Sequence, residues 1–218
     1  MPGKNLEKVY LEDTFYHLYN RGVNKEKIFR QDEDYAVFLN LFKRYLSDKP
    51  SRDKKGREYP WLHNDVELLA FCLMPNHFHA LVYQHQPDAM TKLFKSVSTT
   101  YSMYFNKKYR RVGPVFQSRF RASMITNDTY LQHISRYIHL NPKNYKNWHF
   151  SSLPYYLEKQ TASWVQPHRI LELFDDKKEY ANFVNDYKDY KETLDEIKHE
   201  LADTAWFYIP NLFPGCHP

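Results

Sequence analysis

The chain has 218 residues, 42% hydrophobic and 26% charged, with a formal net charge of +5. That length suits one domain with an appendage, and no run approaches the roughly 20 apolar residues that cross a bilayer, so no membrane association is expected. Two cysteines without a CxxC partner and five scattered glycines exclude a disulfide framework, a thiolate zinc site and Gly-rich phosphate loops.

The opening segment has acids among its bases and no apolar h-region, so a cytoplasmic protein is expected. Phe15 to Arg21 (FYHLYNR) alternates rings with polar residues and breaks at Gly22, the pattern of a strand and its exit turn. Gln31 to Leu46 places Tyr35, Phe38, Leu39, Phe42 and Leu46 at helical spacing, with Asp32 near the start. Ser47 to Asn64 carries Pro50, Gly56 and Pro60 and reads as an exposed loop.

Val66 to Met74 and His77 to Tyr83 are apolar runs of strand length separated by Pro75 and Asn76, an antiparallel hairpin. Asp88 to Tyr109 has a helical stripe of Leu93, Val97, Tyr101 and Tyr104, and the lysines fall largely off it. Phe120 to Thr126 reads as a fourth strand, and Asn127 or Asp128 caps a helix that Pro142 stops. The order is a split βαβ pattern: an α+β, ferredoxin-like antiparallel sheet with an added helix. A boundary near residue 147 would separate this domain, 1–147, from a helical appendage, 148–218, with helices near Pro167 and over Lys177 to Leu201.

Charge is unevenly spread. Glu172 to Asp203 holds 11 acids and 5 bases, a net of −6, which leaves +11 elsewhere. Between Ala89 and Asn127 there are eight bases and no acid, interleaved with Tyr109, Phe116 and Phe120. Cations attract a polyanion and ring faces stack on unpaired bases, so Lys107, Lys108, Arg110, Arg111, Arg119 and Arg121 form a candidate nucleic-acid track. A solvated helix end beside core aromatics gives the same pattern. Asn20 and Arg21, at the end of the first strand, are equally a turn and a surface charge or a DNA contact.

Two constellations carry chemistry. His77-Phe78-His79 lies in a strand, where side chains alternate, so both imidazoles face one side with Cα atoms about 7 Å apart and Phe78 packs into the other. They could share a divalent metal or be two surface histidines. In the last helix of the domain, His133, Tyr137 and Asn141 line up at i, i+4 and i+8 beside a core stripe of Leu131, Ile134 and Ile138. Tyr137 is then a phenol that needs activation to be a nucleophile, or an amphipathic residue at a core edge.

Together L-M-P-N-H-F-H (Leu73 to His79), G-P-V-F-Q-S-R-F-R (Gly113 to Arg121) and R-Y-I-H-L-N-P (Arg136 to Pro142) resemble the single-tyrosine HUH transposases, on the REP-associated tyrosine transposase branch. F-Y-H-L-Y-N-R-G and Y-F-N-K-K-Y fit the same pattern, over residues 10–153. The resemblance implies Tyr137 as nucleophile and His77 and His79 as paired metal ligands for Mg²⁺ or Mn²⁺. Asn141 falls at the third ligand position, where many members carry Gln. It further implies cleavage and rejoining of single-stranded or hairpin DNA through a 5′-phosphotyrosine, nucleoid association while DNA is bound, and either a homodimer or a monomer. The competing expectations are a noncatalytic or domesticated nucleic-acid-binding module on the same scaffold, and a hydrolase unrelated to DNA, which lacks the carboxylate it would need near the histidines.

Overall fold

The computed structural model describes residues 10–186, and a compact unit runs to Val184. Strands β1 (Thr14–Arg21), β2 (Val66–Met74), β3 (His77–Gln84) and β4 (Arg121–Ile125) form one antiparallel sheet in the order β2-β3-β1-β4. Helices α1 (Asp32–Leu46) and α2 (Ala89–Tyr109) connect the strands, and α3 (Asp128–Leu140) follows β4. This is the expected ferredoxin-like arrangement with its added helix. No helix among the described residues is long and apolar enough to cross a membrane.

The alternation of β3 decides which residues face which layer. Phe78 points toward α1 and α2, where it packs on Phe38 and Phe94 at 5.2 and 6.0 Å between ring centroids. His77 and His79 therefore face the opposite layer, that of α3. Because β1 pairs Tyr19 with His79 and Arg21 with His77, His17, Tyr19 and Arg21 share that face.

Helix starts follow their caps. Gln31 and Asp34 form a reciprocal capping box at α1, and the Asn127 side chain accepts from Tyr130 N at 2.8 Å to begin α3. Gly22 closes β1 where no side chain fits, since a Cβ would meet Glu26 O at 2.2 Å. Its N–H donates to Asn76 O at 2.8 Å, and Ile28 and Phe29 N–H groups donate to Pro75 O. The Pro75-Asn76 turn that delivers His77 is thereby pinned from a second loop.

The segment after residue 147 packs on the same sheet. Leu73 N donates to Phe150 O and Gln166 N to Leu68 O, which satisfies the outer edge of β2. Short helices α4 (Leu153–Tyr156) and α5 (His168–Leu171) follow, then α6 (Lys177–Asn185). The boundary expected near residue 147 thus falls inside the compact unit, because Trp148, Phe150 and Tyr155 pack against the core rather than forming one of their own. Most of the helix expected over Lys177 to Leu201, and of the acidic segment, lies outside the described residues.

Behind α3 is a buried polar network. His139 Nδ1 lies 2.7 Å from the Tyr180 hydroxyl and Nε2 lies 2.7 Å from Ser152 Oγ, and Tyr180 donates to Ser135. Ser152 Oγ in turn accepts from Phe71 N at 2.8 Å. Arg136, buried, lies over the Phe183 ring at 4.2 Å and donates to Phe183 O. These contacts fix the rotation of α3 about its axis and so the direction of Tyr137.

Candidate active site

The α3 face brings together residues from three elements. Tyr137 is buried, its ring edge-on to His79 at 5.2 Å and to His17 at 6.0 Å between centroids. His77 and His79 stand 5.2 Å apart, ring to ring. Asn141, at the C-terminal cap of α3, places Oδ1 3.1 Å from His77 Nε2. The His77, His79, Tyr137 and Asn141 side chains expected to act together therefore lie in one cluster.

Burial sets their protonation. It pushes the Tyr137 phenol up to about 12, against a smaller downward pull from the Asn141 amide, so the hydroxyl keeps its proton at neutral pH. Burial also lowers the pKa of His77 and His79, the latter strongly, with further lowering of His79 by His17 and His77. The imidazoles are neutral and offer lone pairs. A group of acids is absent from the face that α3 covers at His79, where the β1 partner is Tyr19 and the β2 partner is Cys72.

This donor set fits a divalent cation. His77 Nδ1 lies 2.7 Å from Asn76 Oδ1 and Nε2 lies 3.1 Å from Asn141 Oδ1; with the ring proton on Nδ1, Nε2 would be the nitrogen left for a ligand. His79 Nδ1 is taken up by His17 Nε2 at 3.0 Å, so Nε2 is the nitrogen left for a ligand. Among the described residues no three His, Cys, Asp or Glu side chains converge on one point, and His17 bonds to His79 instead of sharing a ligand with it. Beside the two histidines the Asn141 amide oxygen, 3.1 Å from His77 Nε2, is an oxygen atom of the kind that hard cations take as a ligand.

A family model described as IS200-like transposase matches residues 60–141, the span that holds His77, His79 and Tyr137. A curated Haemophilus influenzae protein named for the REP-associated tyrosine transposases is 28% identical over 133 aligned positions, covering 53% of this chain and 75% of that protein. Residues 60–141 of the chain are thus similar to the IS200-like transposases. A solved REP-associated tyrosine transposase bound to a REP hairpin shares the fold, with a TM-score of 0.53 at 14% identity over 75% of this chain and 92% of that one. The matched family and relative are transposases, which are enzymes, and the span matched here holds His77, His79, Tyr137 and Asn141.

The structure departs from the sequence expectations in several places. His133, aligned with Tyr137 in the sequence, bonds Arg136 at 2.8 Å and packs on Phe183 of α6. Lys108 is spent on Asp34 and Glu33, at 2.8 and 2.7 Å, inside a network with Tyr104 and Tyr109. Asn20 is buried and bonds Ser118 O and Arg21 N, a turn role. Arg111 reaches Glu26 at 3.5 Å and covers the Phe105 ring. The interleaved rings are packing: Phe116 lies in the core, Phe120 packs on Phe94, and Tyr109 on Phe105.

Other bases do lie near the cluster. Arg21 is the cross-strand partner of His77 and bonds Gln117 with its guanidinium exposed, and Arg121 is the partner of Tyr19 on the same sheet face. Arg119, Arg110 and Lys107 are exposed. Sequence reading missed His17 and Tyr19. Their signal was present in the period-two pattern of FYHLYNR, which puts both on one face with Arg21.

Proposed function

We propose that this protein is an IS200-like transposase that cleaves and rejoins single-stranded DNA with Tyr137 as nucleophile and a divalent cation, Mg²⁺ or Mn²⁺, held by His77, His79 and Asn141. The observation that carries the reading is the cluster in which the Tyr137 ring abuts His79 while Asn141 joins α3 to His77. When bound, the cation supplies a Lewis acid at a nonbridging phosphate oxygen.

The chain's own groups do the rest. The Tyr137 oxygen attacks phosphorus, the bond from phosphorus to the 3′ oxygen breaks, and the phenol proton leaves as the 3′ oxygen gains one. The products are a 5′-phosphotyrosine and a free 3′-hydroxyl, and reversal on that hydroxyl rejoins the strand without an outside energy source. Burial of the phenol keeps it protonated until a phosphate is in place, which suppresses attack on anything less activated. Arg21 and Arg121 beside the cluster, with Arg119, Arg110 and Lys107 farther out and Arg111 in part, bind backbone phosphates. Lys108 and Asn20, engaged within the fold, serve it instead.

The solved relative with its REP hairpin makes hairpin-bearing single strands the substrate class to test. Incubation with such oligonucleotides and Mn²⁺ should give a covalent protein–DNA adduct that survives denaturation. The reading fails if hairpin-bearing strands are bound but never cleaved with either cation.

A further inference from the structure

We propose that His17 is a positioning residue that, backed by Ser123, fixes the proton of His79 on Nδ1 and so keeps the Nε2 lone pair turned into the active site. This rests on the reading of His79 as a metal ligand and adds a residue to it.

The geometry leaves few proton arrangements. His17 Nε2 and His79 Nδ1 are 3.0 Å apart in rings tilted by only 23°, so one in-plane hydrogen joins them. Both rings are buried, where a charge would go unrelieved, and a neutral imidazole carries one proton. If the shared hydrogen belonged to His17, His79 would carry its own on Nε2 and present no lone pair to a ligand. If it belongs to His79, then Nε2 is bare and the His17 proton sits on Nδ1.

That nitrogen is where the fold shows a gap. His17 Nδ1 and Ser123 Oγ are both buried without a hydrogen-bond partner, and His17 and Ser123 are direct cross-strand partners on one face of the sheet. A buried N–H beside a buried hydroxyl oxygen is a donor and an acceptor on neighbouring strands, close enough to meet by rotation of the serine or through one water. The chain Ser123, His17, His79 then matches the outer contacts that orient ligating histidines elsewhere, where loss of the partner weakens metal affinity about 10–100-fold. His77 has its counterpart in Asn76.

The test uses the full chain labelled with ¹⁵N-histidine. In the metal-free wild type, long-range imidazole spectra should show His79 protonated at Nδ1 and bare at Nε2; a His79 proton on Nε2 overturns the proposal without any variant. His17→Phe should release His79 to the other tautomer and weaken Mn²⁺ binding, read by calorimetry or electron spin resonance, about 10–100-fold. His17→Gln, which keeps an acceptor, should recover most of the affinity. Unchanged affinity and an unchanged His79 spectrum in folded His17→Phe overturn the proposal. If the wild type binds Mn²⁺ no better than His77→Ala does, the metal reading fails, and the His79 spectrum still decides the role of His17.

Discussion

The Tyr137 ring stands edge-on to the His79 imidazole, with 5.2 Å between centroids and planes at 82°. A hydroxyl removed from that arrangement takes little packing with it. Tyr137→Phe should therefore unfold within about 1 kcal/mol of the wild type, the net worth of one hydrogen bond, while covalent adduct formation is lost. Thermal unfolding and a denaturing gel on the same preparation check both halves.

Lys108 and Arg121 should separate fold from substrate. Lys108→Ala leaves the buried Asp34 carboxylate, which Lys108 and Tyr109 hold below its usual range against the opposing effect of burial, without its cation. Its cost should appear as a lower urea midpoint with DNA affinity nearly unchanged. Arg121→Ala should instead weaken binding to all sequences alike and reduce the slope of log affinity against log salt by about 1.

Asn141 is the proposed ligand that bonds the other side of the cluster, at His77. Asn141→Gln keeps an amide one methylene longer and should need similar Mn²⁺ for half-maximal cleavage, whereas Asn141→Ala should need at least about tenfold more. A metal titration of the cleavage rate distinguishes them, and equal curves for wild type and Asn141→Ala would remove Asn141 from the ligand set.

Acid should loosen the fold through its buried histidines. Burial lowers His139 and His17 to about 3, so both are neutral in the folded chain. Between the unfolded value near 6.5 and that folded value the unfolded chain binds more protons, so the stability they contribute is present above pH 6.5 and lost as pH falls. Each contributes a slope of up to about 1.4 kcal/mol per pH unit. His139→Gln, which keeps partners for Tyr180 and Ser152, should flatten the fall of the urea midpoint between pH 6.5 and 4; an unaltered slope would mean that His139 does not control it.

Much of the fold was legible in the sequence because its strands and helices carry clean periods. VELLAFCLM and HFHALVY flank a Pro-Asn turn, and α3 has Asn127 before it and Pro142 after it. The pairing of His77 with His79 followed from alternation alone. The place of His17 did not, because the register that sets Tyr19 against His79 is a long-range fact that no local pattern fixes. The roles of Lys108 and Arg111 were hidden for the same reason: their acidic partners, Asp34, Glu33 and Glu26, lie more than seventy positions away. Residues 148–184 read as a separate appendage because their swing in charge is local, whereas the contacts of Phe150 and Tyr156 with β2 are not.

The central claim is that Tyr137 carries the DNA strand. Its most direct test is to digest the protein–DNA adduct and locate the modified residue by mass spectrometry. A 5′-phosphonucleotide on Tyr137, absent from Tyr137→Phe, is the predicted result. The same modification on another residue, or an undiminished adduct in Tyr137→Phe, would contradict it.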